Sequence, residues 1–233
     1  MIDIALIKIE TALVNRTISS GYDMKIARFL TVEGGEGVGK SSFIELLSHK
    51  LRGRGMAFTL TREPGGTRIA EEIRSVFSKG DDLEEFTPEG EFLLVSAARA
   101  QHVHHKIRPE LQKGNWVICD RFADSSRVYQ GILKGMETDF LEKVIQKSTY
   151  GIVPDLTFLL DCDVAISQAR VAGRSVVESR YDLAALEVHE QLRQGFLQVS
   201  RIYPKRIQVL DAAQPVEHSV NQALSIMEEH FHG

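Results

Sequence analysis

Cysteine is scarce in this chain, with only Cys119 and Cys162 among 233 residues. Both fall in apolar, strand-like runs, so buried free thiols are expected and a disulfide framework or cysteine metal site is disfavoured. No apolar run approaches the ~20 residues of a membrane span. An excess of positive charge is also missing: 28 basic against 32 acidic residues leave a net charge of −4. A general nucleic-acid binder would carry a basic surface, so that class is disfavoured, although local arginines can still build an anion site. There is no internal repeat and no low-complexity tract. What remains is 43% hydrophobic and 26% charged, which suits one sizeable α/β domain with or without a small lid.

The first residues stand apart. Met1-Ile2-Asp3-Ile4-Ala5-Leu6-Ile7 is apolar but carries Asp3, and Lys8 follows it. That order is wrong for a signal peptide, and the stretch is not arginine-rich like a transit peptide, so a cytoplasmic protein is expected. Met24-Lys25-Ile26 leads into the first strand. Residues 1–23 are therefore expected to be a flexible extension outside a core domain spanning 24–233.

The most informative stretch is Gly34-Gly35-Glu36-Gly37-Val38-Gly39-Lys40-Ser41, which fits G-x-x-x-x-G-K-[ST] at every required position. Phe29-Leu30-Thr31-Val32-Glu33 before it reads as a buried strand. Phe43, Ile44, Leu46, Leu47 and Leu51 after it recur at helical spacing. A strand, a glycine turn and a helix form a phosphate loop. Backbone N–H groups cradle the phosphates, and the helix aims its positive end at them. Gly34, Gly35, Glu36, Gly37, Val38, Gly39, Lys40, Ser41 and Ser42 are thus the expected ATP-binding residues. Lys40 supplies charge for the β- and γ-phosphates, and Ser41 a hydroxyl for Mg²⁺.

Further strands are expected at 57–61, 116–119, 156–160 and 207–210, with a long helix from Pro88 to Lys113 capped by Thr87. Helices are also expected near 67–79, 124–149, 182–203 and 215–231. Five apolar strands alternating with helices imply a parallel sheet covered on both faces. Ligands then bind beyond the carboxyl ends of the strands, where Arg62-Glu63 and Asp120-Arg121 also fall.

A phosphate loop alone leaves kinases, GTPases and motor ATPases open. Three features favour a small-molecule kinase. Asp120 ends a buried strand and can hold a Mg²⁺ shell, yet Arg121 follows it where an ATPase would carry a second acid. Arg62, Arg74, Arg99 and Arg121 gather beyond the loop, as a second phosphate requires. Arg170, Arg174 and Arg180 bracket a short polar stretch suited to a lid. No Asn-Lys-x-Asp guanine-reading motif occurs. His102, His104 and His105 read as surface or partly packed residues, because neighbours on a helix diverge. Arg170 is expected to pair with Asp163 or Glu178.

Thr61-Arg62-Glu63-Pro64-Gly65-Gly66-Thr67, Ala97-Ala98-Arg99-Ala100-Gln101-His102 and Asp120-Arg121-Phe122-x-Asp124-Ser125-Ser126-x-x-Tyr129-Gln130-Gly131 resemble thymidylate kinases of the bacterial type. The resemblance runs from about Lys25 to the C-terminus. It implies the P-loop nucleoside-monophosphate-kinase fold: a five-stranded parallel sheet, helices on both faces and a short lid at about 173–181. It also implies transfer of the γ-phosphate of ATP to dTMP with Mg²⁺, in a homodimer, with no nucleic-acid or membrane partner. Arg62, Arg74 and Arg121 would hold the dTMP phosphate, and Arg99 a thymine carbonyl, with Ser126 and Gln130 near the base. Tyr129 would exclude a 2′-hydroxyl, Glu36 would face the 3′-hydroxyl, and Glu63 would order the acceptor site or Mg²⁺ waters. Asp120 and Ser41 would hold the metal, partly through water. Lys40, Arg121 and a lid arginine, Arg174 or Arg180, would be catalytic. Gly37 stands where the other type carries an arginine. Asp211-Ala212-Ala213-Gln214-Pro215 resembles the adenine-side loop. The runner-up reading is a kinase of another nucleotide or a nucleoside; a regulatory nucleotide-binding module is a more distant one.

Two positions depart from the family pattern. Val95 replaces the phenylalanine that stacks on thymine, leaving Phe92 as a candidate replacement. Arg127 occupies a usually apolar position and is expected to face solvent. Base stacking on an aromatic face is worth roughly 1–3 kcal/mol. Val95→Phe should therefore lower KM for dTMP and leave kcat unchanged; steady-state kinetics with an unchanged KM would refute the stacking argument.

Overall fold

The computed structural model of the chain describes residues 27–78, 85–173, 181 and 184–232. The expected extension 1–23 lies outside the described residues, as do Arg174 and Arg180 of the expected lid. Strands β1 (Phe29–Glu33), β2 (Phe58–Arg62), β3 (Trp116–Asp120), β4 (Leu156–Asp161) and β5 (Ile207–Asp211) form one parallel sheet in the order β2-β3-β1-β4-β5. The chain leaves β1 for one side of the sheet and later crosses to the other. The carboxyl ends of β1 and β3 thus form a switch point, where loops diverge and leave a crevice.

Side chains alternate across the strands. Leu30, Val32, Ile118, Leu156, Phe158, Leu160 and Leu210 pack on one face with Phe43, Leu47 and Leu51 of α1 (Lys40–Gly53) and Val220, Leu224 and Met227 of α9 (Val216–His232). Phe29, Val117 and Cys119 pack on the other with Phe92 of α3 (Pro88–His102) and with Leu141 and Ile145 of α6 (Thr138–Ser148). Leu159 meets Leu192, Phe196 and Val199 of α8 (Leu186–Ile202). Both cysteines are free and buried, as their apolar surroundings imply.

Thr87 caps α3 by accepting from the N–H of Gly90 at 3.1 Å, with Pro88 in the first turn. The expected single helix 88–113 is nevertheless interrupted. It is α-helical to His102, π-helical over Val103–Ile107 and α-helical again as α4 (Arg108–Gln112). Pro109 supplies the reason: in a regular helix its ring would strike the carbonyl of His105, and a wider turn avoids this. A second π segment, Arg127–Leu133, continues the short α5 (Ala123–Ser126). Helix α8 begins at Leu186 instead of near Asp182, after the extended backbone of Ala185. Helix α2 (Arg68–Ser78) follows the turn after β2, and α7 (Val164–Ala172) follows β4.

Arg127 does not face solvent. Its guanidinium donates to both oxygens of Glu142 at 2.7 Å and to Asp124 at 3.0 Å, and lies over Tyr203. Arg206 closes the cluster from beyond α8, donating to both Asp124 oxygens at 2.6 and 2.9 Å. The Arg206 charge, with help from Arg127, holds the Asp124 carboxyl below the usual carboxylate range against the opposing effect of burial. The pairs of Asp124 with Arg127 and Arg206 replace the solvent contact expected for Arg127 and tie α5 to the chain leading into β5. Removing one member of a buried pair strands the other charge, so Asp124→Asn should cost about 3 kcal/mol by urea unfolding. A folded pKa below the unfolded value also means that this group's contribution is present above about pH 4 and lost on acidification.

Candidate active site

Strand register places the chemistry. Asp120 at the end of β3 aligns with Val32 of β1 on one side and Arg62 of β2 on the other. The phosphate loop, Asp120-Arg121 and Arg62-Glu63 therefore leave the sheet at one edge, as the sequence pattern required. The loop curls through positive φ at Gly34, Gly37 and Gly39. Gly37 has no room for a side chain, because a Cβ there would lie 2.2 Å from the Ser167 carbonyl oxygen of α7. An arginine at this position would have to displace α7. Its absence from the loop is thus a packing requirement of this chain.

Lys40 folds back over the loop and donates to the Gly34 and Gly35 carbonyls at 3.0 and 2.6 Å. Burial, reinforced by the Arg121 charge, pushes its pKa down to about 8. Arg121 is the hub. Its backbone is left-handed, with φ of 64°, an uncommon state for a residue with a side chain. Its guanidinium donates to the Gly34 carbonyl at 3.0 Å, to Glu36 at 3.1 Å and to Ser125 Oγ at 3.3 Å, and lies over the Tyr129 ring. Neighbouring Tyr129, Glu36 and Asp120 raise its pKa despite burial. Glu36 Oε1 also accepts from the Tyr129 hydroxyl at 2.7 Å. Glu36 Oε2 is buried without a partner among the described residues. Its carboxyl is held down by Arg121 and Lys40, which outweigh burial.

The second arginine set divides. Arg62 is exposed and pairs with Glu71 of α2 at 3.1 Å, while Arg74 donates to the Pro64 carbonyl at 2.9 Å. Arg99, on α3, is 1% exposed. It donates to Glu63 at 2.8 Å, to Ser126 Oγ at 3.0 Å and to the Phe122 carbonyl at 3.2 Å. Its Nη1 has no partner among the described residues. Glu63 thus serves Arg99 and His102, and is not the partner of Arg62. The amide of Gln130 donates to Glu91 at 2.6 Å, and Lys134 binds the same carboxylate. Phe92 is fully buried in the core, with the edge-on ring of the exposed Phe140 against it. It therefore does not replace the missing aromatic at Val95, because moving it would open the core.

Two residues went unrecognised or were misplaced by sequence reasoning. His102 is fully buried, not at the surface; it turns inward because it falls on the Phe92-Val95-Arg99 face of α3. Glu33, buried at the end of β1, accepts from the N–H groups of Phe122 and Ser125 at 2.8 and 3.2 Å and from Ser125 Oγ at 2.6 Å. An acid ending an otherwise apolar strand was the available signal. Arg170 reaches to within 3.5 Å of the Val38 carbonyl oxygen, while Asp163 lies 3.8 Å from Arg193. Glu178, its other expected partner, lies outside the described residues.

A cleft of about 510 Å³ runs beside the loop and is lined by Ser41, Thr61, Arg62 and Asp120. Asp120 Oδ1 is buried without a partner among the described residues, so the donor set fits a hydrated Mg²⁺. Among the described residues there is no cluster of metal-ligating side chains and no helix long and apolar enough to cross a membrane.

A parallel sheet with a phosphate loop at its switch point, and guanidinium groups facing that loop, defines a P-loop phosphotransferase. The family model for thymidylate kinase matches residues 32–223. The thymidylate kinase of Magnetococcus marinus is 44% identical over 192 residues, covering 82% of this chain and 90% of the relative. That of Deinococcus radiodurans is 42% identical over 204 residues, covering 88% and 98%. The crystal structure of thymidylate kinase from Ehrlichia chaffeensis superposes with a TM-score of 0.70 at 25% identity, covering 86% of this chain and 98% of that one. The chain belongs to the thymidylate kinase family.

The Lys40 amine should titrate near pH 8, where an ordinary lysine titrates at about 10.4. Amine acylation followed by mass spectrometry should find that midpoint, and ATP should move it upward. The unfolded lysine keeps its proton longer, so this group makes stability rise with pH between about 8 and 10.4.

Proposed function

We infer that this chain transfers the γ-phosphate of ATP to dTMP, giving dTDP and ADP for dTTP synthesis. The observation that carries the reading is Arg121, which ties the phosphate loop to the acceptor side through Gly34 and Glu36. The acceptor phosphate oxygen is already anionic, so it attacks the γ-phosphorus without a strong base. The bond to the β-phosphate oxygen breaks as the new one forms, and its electron pair leaves on ADP. Catalysis is then positioning and charge neutralisation by Lys40 and Arg121.

Arg62 and Arg74 join Arg121 on the acceptor phosphate. The unpartnered Nη1 of Arg99 suits a thymine carbonyl, and the unpartnered Oε2 of Glu36 suits the sugar 3′-hydroxyl. Tyr129, held by Glu36 and stacked edge-on with Tyr181, leaves no room for a 2′-hydroxyl. Ser126 and Gln130 flank the base, and Glu63 orders the acceptor pocket through Arg99. Ser41 and Asp120 would hold Mg²⁺, which would neutralise phosphate charge. The missing loop arginine leaves the second cation to the lid, from Arg174 or Arg180. Residues 24–233 act as one kinase domain, cytoplasmic and homodimeric, with residues 1–23 as an appendage.

ADP release should be strong with dTMP and weak with dUMP, dCMP, AMP or thymidine. Lys40→Ala should abolish turnover. At least one of Arg174→Ala and Arg180→Ala should lower kcat more than it raises KM. Normal turnover by both would refute the lid assignment, and a preferred acceptor other than dTMP would refute the substrate.

A further inference from the structure

His102 has no part in the transfer described above, yet it touches both arms of the acceptor pocket. Its Nδ1 lies 3.0 Å from Glu63 Oε1, and its Nε2 lies 2.6 Å from Thr61 Oγ1. A carboxylate only accepts, so Nδ1–H donates to Glu63; in the neutral imidazole Nε2 then accepts from the Thr61 hydroxyl. The other Glu63 oxygen receives Nε–H of Arg99 at 2.8 Å. All three side chains are at most 3% exposed. Gly66 roofs the imidazole so closely that a Cβ there would lie 2.5 Å from the ring. The same glycine donates its N–H to Glu71, the partner of Arg62. The imidazole is thus fixed on two sides by hydrogen bonds and on a third by backbone.

We propose that His102 is a specificity-determining positioning residue: by holding Glu63 it sets the direction of the free Nη1 of Arg99, and so which group at position 4 of a pyrimidine the pocket accepts. The inference rests on Arg99 reading the base. A guanidinium only donates, so its Nη1 matches a keto oxygen and opposes an exocyclic amine. Discrimination requires that Nη1 cannot swing aside. Ser126 and the Phe122 carbonyl restrain Nη2, but among the described residues only Glu63 restrains the Nε side, and His102 is the other side chain holding Glu63.

dTMP and 5-methyl-dCMP share the 5-methyl group and differ along one base edge, a keto oxygen at position 4 beside N3–H against an amine beside a bare N3, and are the probes. The amide of an asparagine reaches where Nδ1 lies, whereas that of a glutamine reaches where Nε2 lies. His102→Asn therefore keeps the bond to Glu63, and His102→Gln keeps only the contact with Thr61. Full-length His102→Gln should lose about tenfold in the kcat/KM preference for dTMP, the value of one buried charged hydrogen bond. The loss should lie in KM, with kcat for dTMP unchanged. His102→Asn should retain the preference, even though both variants melt at lower temperature. Thr61→Val leaves Nδ1 and Glu63 in place and should retain it too, which keeps the test open if either His102 variant fails to fold. A His102→Gln preference equal to wild type, an equal loss in the asparagine and glutamine variants, or a loss in Thr61→Val would each overturn the proposal. Wild-type protein that transfers to dTMP but does not prefer it to 5-methyl-dCMP would instead overturn the reading of Arg99, and this inference with it.

Discussion

The ion pair between Arg121 and Glu36 is the constraint on which the site depends. It joins a residue of the phosphate loop to the residue that follows β3, 3.1 Å apart, with Glu36 almost wholly buried. Charges so placed attract strongly because little water intervenes. Arg121 adopts a left-handed backbone to make the contact, a conformation that costs free energy for a residue with a Cβ. Glu33 holds the chain immediately downstream by accepting from two backbone N–H groups and from Ser125, which also receives Arg121. The arginine is therefore fixed before any phosphate arrives. Preorganised charge of this kind is how phosphoryl transfer gains rate without covalent chemistry.

The same arrangement recurs outward from this pair. Glu63 holds Arg99 and His102, Asp124 holds Arg127 and Arg206, and Glu91 holds Gln130 and Lys134. Each buried acid is matched by a donor on another element, so each pair fixes one element against the next. Against that background, three of the buried polar atoms without a partner among the described residues lie at the site: Glu36 Oε2, Arg99 Nη1 and Asp120 Oδ1. An unsatisfied buried polar atom costs roughly 1–3 kcal/mol, which is tolerated where a ligand completes the bond. All three belong to residues joined through the Arg121 and Glu63 networks. In the proposed function a sugar hydroxyl, a pyrimidine carbonyl and a hydrated cation, respectively, complete them.

Much of this could be read without coordinates. The strand before Gly34 and the helix after Lys40 were legible because apolar residues alternate or recur at the period of each element. The place of Asp120 and Arg62 at strand ends beside the loop was legible because polar side chains end apolar strands. The interruption at Val103–Ile107 was not legible: a helical pattern continues through it, and only the i−4 clash of Pro109 betrays it. Arg127 and His102 were misplaced for a related reason. A charged or titratable side chain is usually solvated, and nothing in the neighbouring sequence announces that Arg206 closes on Asp124 or that Glu63 waits inside.

By itself the sequence determined the phosphate loop, the alternation of strands and helices, and the family, because these rest on contiguous motifs and short-range periodicity. The tertiary structure alone decided which acid meets which arginine. The pairs Arg121–Glu36, Arg99–Glu63 and Arg206–Asp124 join residues dozens of positions apart, and their geometry follows from sheet order and helix packing, not from neighbours in the chain. It also decided that Gly37 lies against α7, and that Arg99 turns an unpaired donor inward.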